Sequence, residues 1–190
     1  MSNHAGITPR RIVGLCGYAR AGKDTVAQAL VDRGWARVGF ADALKADLEA
    51  AIGKPFAAMP ATEKELWRPT MVAYGEARRR QWADYWIARA VDTIQNRYAP
   101  SHPIVITDVR YVNELDWIRR CGGVVLYVER ELLPANSEEE MSIRKCLDRI
   151  YPVDWLYNFT SVEAARERLI MAVENHYGPL GAELEGWEPQ

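Results

Sequence analysis

The sequence predicts an α/β fold, a three-layer sandwich with helices on both faces of a mostly parallel five-stranded sheet. Three observations lead there. Short apolar runs alternate with amphipathic helical stretches along the chain, the pattern of repeated strand–helix–strand units and so of parallel pairing. The runs are apolar at successive positions, as strands buried on both faces require. The first run, Ile12 to Cys16, ends at a glycine-rich turn that opens a helix.

The elements follow in order. After the strand Ile12–Cys16, Lys23 to Arg33 is a helix with Val26, Ala27 and Leu30 on one stripe, stopped by Gly34. Ala36 to Phe40 is the second strand. Ala41 to Ile52 is helical, with Leu44, Leu48 and Ile52 recurring every four residues. Gly53 to Arg80 is irregular, and because it holds Pro55, Pro60 and Pro69 its helices are expected to be short or broken. Trp82 to Tyr98 is amphipathic through Ile87, Val91 and Ile94. Ile104 to Thr107 is the third strand and ends at Asp108. Tyr111 to Cys121 is a helix closed by Gly122-Gly123, and Val124 to Val128 is the fourth strand. The polar stretch from Glu129 to Pro152 reads as a lid. Leu156 to Phe159 is a weak fifth strand, Val162 to His176 the last helix, and the tail from Gly178 is irregular.

Bulk properties narrow the function. With 190 residues, 48% of them hydrophobic, the chain can fill one core. A formal net charge of -2 supplies no global positive field, so neither a nucleic-acid polymer nor a membrane is an expected partner. Cys16, Cys121 and Cys146 are odd in number and lack C-x-x-C spacing, which argues against a disulfide framework or a zinc site. Cys16 and Cys121 read as small core residues, and a reduced, cytoplasmic setting is expected. Residues 1–10 are short and polar, unlike a signal peptide. No apolar run approaches the ~20 residues that span a bilayer. His4, His102 and His176 are scattered, with neither metal-ligand nor triad spacing.

Chemistry enters at Gly17-Tyr-Ala-Arg-Ala-Gly22-Lys23, which fits G-x-x-x-x-G-K directly after a strand and before a helix. Glycines let successive N–H groups turn inward around an anion, and the helix start adds partial positive charge. Gly17, Ala19, Arg20, Ala21, Gly22, Lys23, Asp24 and Thr25 are therefore the candidate ATP-binding residues, with Lys23 reaching the β and γ phosphates. One position departs from the pattern. Asp24 stands where Ser or Thr would put a hydroxyl on Mg²⁺, and Thr25, one residue late, points about 100° away. Asp24 offers Mg²⁺ a hard anionic oxygen, held directly or through water.

These residues resemble the phage-type deoxynucleoside monophosphate kinases, within the wider P-loop nucleoside monophosphate kinase group. The likeness runs from about Ile12 to about Val173. It rests on Gly17 to Thr25 with the Lys23-Asp24-Thr25 ending, Phe40-Ala-Asp-Ala-Leu-Lys45, Gly75-Glu76 with Arg79 and Trp86, Thr107-Asp-Val-Arg110 with Asn113-Glu114, and the Gly122-Gly123 strand leading to Arg130. The resemblance implies a single P-loop kinase domain over residues 1–190. Its core would be about 11–53 and 101–177, its helical acceptor-binding region about 54–100, and its lid about 130–152. It implies transfer of the ATP γ-phosphoryl group, with Mg²⁺, to a (deoxy)nucleoside monophosphate. Dephospho-coenzyme A as acceptor, or a non-catalytic ATP switch, are the alternatives, and a homodimer is left open.

Asp108, at a strand end opposite the phosphate loop, could hold Mg²⁺ through water or orient the acceptor; the plainer alternative is a cap on the next helix. Arg110 could clamp the acceptor phosphate or lie on the surface. Phe40 could stack on a base or belong to the core, while Lys45 could touch a phosphate. Of Arg78-Arg79-Arg80, helical geometry lets one or two converge on a phosphate, and the family spacing favours Arg79. Trp86 borders the acceptor pocket in this reading. Arg130, Arg144, Lys145 and Arg149 lie in the lid, where arginines can stabilise the transferring group and exclude water. Arg130 is favoured because it follows the fourth strand directly.

Overall fold

A computed structural model of the chain describes residues 10–130, 145–146, 148, 155–157 and 161–180. Five strands, β1 (Ile12–Cys16), β2 (Ala36–Val38), β3 (Ile104–Val109), β4 (Val124–Glu129) and β5 (Trp155–Tyr157), form one sheet in the order β2-β3-β1-β4-β5. Every neighbouring pair is parallel. The helices are α1 (Lys23–Val31), α2 (Phe40–Ile52), α3 (Ala61–Gln81), α4 (Tyr85–Arg97), α5 (Val112–Arg120) and α6 (Val162–Tyr177).

The alternation of side chains along the strands builds the three layers. Ile12, Cys16, Ile104, Ile106, Val125 and Tyr127 face one core with Phe40, Trp86, Ile87, Ile94, Leu115 and Ile118 from α2, α4 and α5. Val13, Leu15, Val105, Leu126 and Val128 face the other, with Val26 and Leu30 of α1 and Ala165, Leu169 and Val173 of α6. Among the described residues no helix is long and apolar enough to cross a membrane.

Three expectations change. The stretch expected to be broken contains one long helix, α3, that runs through Pro69. Pro55 and Pro60 stand outside it, capping a short 3₁₀ turn (Phe56–Ala58) and α3 itself. Pro69 alone sits inside and forfeits one N–H bond, which helix formers such as Ala61, Glu63, Leu66, Met71 and Ala77 offset. Close packing also holds α3, because a side-chain carbon at Gly75 would come 3.0 Å from Leu44 Cδ1. Secondly, the second strand stops at Val38, and Phe40 begins α2 rather than ending a strand.

Thirdly, β3 continues past Thr107 to Val109 and carries an irregularity there. Gly14 pairs with Ile106 but Cys16 pairs with Val109, so two β3 residues, Thr107 and Asp108, stand opposite one on β1. Such a bulge re-aims side chains. Val109 packs in the same core as Ile104 and Ile106, while Thr107 and Asp108 both reach the cleft at the strand ends.

The two glycines after α5 serve different purposes. Gly122 adopts φ +77 with open space around it, whereas a carbon added to Gly123 would lie 2.6 Å from the Ile12 carbonyl oxygen. Gly122→Ala is therefore expected to lose about 1 kcal/mol to backbone strain. Gly123→Ala, which must push backbone apart, should lose more, up to about 3 kcal/mol. Urea unfolding of the two variants beside the parent checks that ranking.

Candidate active site

Leaving β1, the chain turns through Gly17 (φ 147), Arg20 (φ 66) and Gly22 (φ 87) before α1 begins. Gly17 has no room for a side chain, since one would run into the Val128 carbonyl of β4. Gly22, left-handed, caps α1 without a side-chain bond, so the first N–H groups of α1 face the loop as an anion site. Lys23 folds back across it, and its Nζ donates to the carbonyls of Gly17 (2.7 Å) and Tyr18 (2.8 Å). Burial, then the charge of Arg110, lowers its pKa from the ordinary lysine value.

Asp24 extends from the first turn of α1 with a side chain 78% exposed. Its Oδ1 accepts from Thr107 Oγ1 at 2.6 Å and lies 3.7 Å from Arg37 Nε. Arg37 Nε donates to Thr107 Oγ1 at 3.3 Å, and its Nη1 donates to both Asp42 oxygens, at 2.8 and 2.7 Å. Among the described residues there is no cage of three or more His, Cys, Asp or Glu. Mg²⁺ takes one or two carboxylates and completes its shell with phosphate oxygens and water. Asp24 fits such a role.

Asp108 is tied to two backbone N–H groups. Its Oδ1 accepts the N–H of Phe40 and its Oδ2 that of Ala41, each at 2.9 Å. It caps a helix, α2 rather than the one that follows it, and does so across the sheet edge. Phe40 is 2% exposed and meets Trp117 edge-on at 5.9 Å, so its ring is core at the cleft floor. Trp86 is equally buried, with its Nε1 donating to Gly75 O at 3.1 Å.

Beyond Asp108 the cleft, about 420 Å³, opens between α2, α3 and the start of α5. Arg79 lines it, with Nη2 donating to Glu114 Oε1 at 3.2 Å, Nη1 3.7 Å from Glu76, and its guanidinium carbon 3.8 Å above the Tyr111 ring. The Tyr111 hydroxyl donates to Glu76 Oε1 at 2.7 Å. Glu114 is buried, and its Oε2 accepts the N–H groups of Arg110 (2.8 Å) and Tyr111 (3.1 Å). Burial outweighs the Arg79 charge and lifts the Glu114 pKa to about 7. Seven basic side chains line the cleft (Arg20, Lys23, Arg37, Lys45, Arg68, Arg79 and Arg110) against four carboxylates (Asp24, Glu76, Asp108 and Glu114). In a chain of net charge -2, that local excess marks a site for an anion.

The structure thus gathers Ala19, Arg20, Lys23, Asp24, Phe40, Lys45, Arg79, Trp86, Asp108 and Arg110 around one cleft. Of the three consecutive arginines only Arg79 lines it; Arg78 stacks over Tyr74 and Tyr85, and Arg80 reaches back to the Glu76 carbonyl. Gly17, Ala21 and Gly22 shape the loop from behind. Thr25 is exposed, off the cleft, and its carbonyl accepts from Arg166. Arg130 is exposed just past β4 and does not line the cleft, and Lys145 is exposed too. Arg144 and Arg149 lie outside the described residues, as does most of the expected lid.

Sequence reasoning missed Arg37 and Tyr111 as site residues, and it quoted Thr107, Glu76 and Glu114 for the resemblance without giving them a role. For Arg37 the available signal was a lone charge between two buried residues on β2, Ala36 and Val38. Glu114 occupies the third position of α5, where a glutamate can reach back to the helix start.

No protein-family model matches the sequence, and no curated protein matches it. Among solved structures it is similar to TT1252 from Thermus thermophilus, at 20% identity and TM-score 0.48 over 87% of this chain and 97% of that one. A gluconokinase from Sinorhizobium meliloti follows at 15% identity and TM-score 0.40, over 90% and 97%. A sugar kinase from a Janibacter species matches at 16% identity and TM-score 0.45, over 92% and 99%. Likenesses of this degree leave the activity and the substrate to be argued from the site itself.

Glu114 gives the site a pH signature. Its folded pKa, about 7, stands above the ordinary 4.5, so between those values the folded state holds the extra proton. Stability must fall as pH rises through that window, by about 3 kcal/mol in all. Glu114→Gln should lack this component, read as the difference between urea-unfolding profiles of parent and variant from pH 4.5 to 7.5. Parallel profiles would contradict it.

Proposed function

We propose that the protein transfers the γ-phosphoryl group of ATP to a deoxynucleoside monophosphate, giving ADP and a deoxynucleoside diphosphate. One observation carries this reading: the phosphate loop with Lys23 and the pocket with Arg79 and Arg110 open into the same cleft. Two anionic ligands can meet there. The acceptor half is also lined by half-buried apolar groups, Met71 and Val72, with the buried Trp86 behind its arginines, a combination that suits a base attached to a phosphate.

In this reading the loop amides cradle the β and γ phosphates, and Lys23 exchanges its contacts with the Gly17 and Tyr18 carbonyls for phosphate oxygens. Arg79 and Arg110 hold the acceptor phosphate facing the γ phosphorus, with Lys45 and Arg68 adding charge at the rim. Asp24 is the carboxylate that would hold Mg²⁺, and the metal, when bound, neutralises charge on the donor phosphates. No general base is required, because an acceptor phosphate oxygen is ionised at neutral pH. Asp108, whose oxygens each accept a backbone N–H, serves here by fixing α2. Arg130 is the residue we assign to close over the transferring group. The chemistry is then positioning and electrostatic stabilisation without a covalent intermediate.

The test incubates the protein with Mg·ATP and each common nucleoside monophosphate, ribo and deoxy, with dephospho-coenzyme A and gluconate alongside. Acceptor-dependent ADP matched by a nucleoside diphosphate is expected. ADP that appears only with a hydroxyl acceptor, or regardless of acceptor, sinks the reading. Lys23→Ala should lower kcat about 100- to 1,000-fold. Arg79→Ala should raise KM for the monophosphate far more than KM for ATP.

A further inference from the structure

The phosphate loop lacks the hydroxyl that normally follows its lysine, and β3 brings one to the same place. Thr107 is 2% exposed, yet its hydroxyl donates to a carboxylate that is 78% exposed. At 2.6 Å the contact is in the short range of charge-assisted O–H···O⁻ bonds. A carboxylate so exposed on a first helical turn would otherwise sample several rotamers.

The direction of this bond is set from behind. Arg37 Nε donates to Thr107 Oγ1, so the threonine proton must point away from Arg37, toward Asp24. Arg37 is in turn fixed by two bonds to Asp42, and Asp42 Oδ2 also accepts the Gly39 N–H at 2.7 Å. The result is an ordered relay, Gly39 to Asp42, Arg37, Thr107 and Asp24. It ends on Asp24 Oδ1, while Oδ2 takes no hydrogen bond from any described residue. The bulge in β3 aims Thr107 here.

We infer that Thr107 is a positioning residue that holds Asp24 Oδ1 so that Oδ2 faces the magnesium ion of bound ATP. The inference rests on the reading of Asp24 as the carboxylate for that metal. Thr107 supplies from the neighbouring strand the hydroxyl that the loop itself lacks, acting behind the carboxylate. Partners of this kind, one bond removed from a metal, change its affinity about 10- to 100-fold when removed.

The test is Mn²⁺ affinity, followed by electron paramagnetic resonance, for the protein carrying a non-hydrolysable ATP analogue. Thr107→Val keeps shape and removes the hydroxyl. It should weaken Mn²⁺ binding about 10- to 100-fold while leaving metal-free affinity for the analogue unchanged. Thr107→Ser should restore the parent value, and Asp24→Asn should weaken the metal at least as much as Thr107→Val. If Thr107→Val does not fold, Thr107→Ala takes its place with the same expectations. Parent-like Mn²⁺ affinity in the valine variant, with Asp24→Asn impaired, overturns the inference and leaves the Asp24 reading standing. A serine variant as weak as the valine one also overturns it, because packing would then be the cause. Parent-like affinity in Asp24→Asn removes the metal role of Asp24 itself, and the inference with it.

Discussion

The first N–H groups of a helix find no partner within it, and in α2 two of them, on Phe40 and Ala41, are taken by the single carboxylate of Asp108. Much of the helical wall of the cleft hangs from that tie. It fixes where α2 leaves the sheet edge, and α2 packs on both α3 and α4. Asp47 of α2 accepts from Arg89 of α4 and from the Tyr74 hydroxyl of α3, so the three helices are pinned at a second point along α2. The walls that carry Lys45, Arg79 and Trp86 are thereby placed from one residue of β3. The tie depends in turn on the extra residue in β3, without which Thr107 and Asp108 could not both reach the cleft.

Each of the four carboxylates of the cleft accepts hydrogen bonds from protein donors, which lessens the repulsion it would offer an anion. Asp108 accepts two backbone N–H groups, Glu76 the Tyr111 hydroxyl, and Asp24 the Thr107 hydroxyl on one of its oxygens. Glu114 is the extreme case, since burial leaves it ionisable only near neutral pH despite three donors. Its partner Arg79 faces the cleft. A phosphate drawing on that guanidinium would weaken the remaining hold on the Glu114 charge, so ligand and proton occupancy at this point are linked.

Local patterns carried the layered fold and the phosphate loop into view from the sequence alone. Five strands and the loop at the first of them can be read because apolar runs and the Gly17-to-Lys23 spacing are properties of neighbouring residues. What escaped were relations across the chain. Nothing beside Asp108 in sequence reveals that its donors are Phe40 and Ala41, and nothing beside Arg37 reveals Thr107 or Asp24. Pro69 misled for the complementary reason: its cost is local, while Gly75 against Leu44, which helps hold α3 in place, is not. Phe40 was ambiguous in sequence because a ring at a strand end can serve a base or a core, and only the fold reveals its burial against Trp117.

The strand order also governs how the newly made chain can fold. β1 is synthesised first but ends at the centre of the sheet, paired through Ile12 with Ile104 and through Val13 with Val124. Its neighbours β3 and β4 leave the ribosome only after α1 to α4. Such distant parallel pairings form late, once the cost of closing the long intervening loops is met. Gly17 is shaped by contact with the Val128 carbonyl, so the phosphate loop has no wall until β4 arrives. The loop after β1 is made before the strand it leans on, so its final shape waits for β4. Until then the apolar β1 lacks the partners that cover it on both sides.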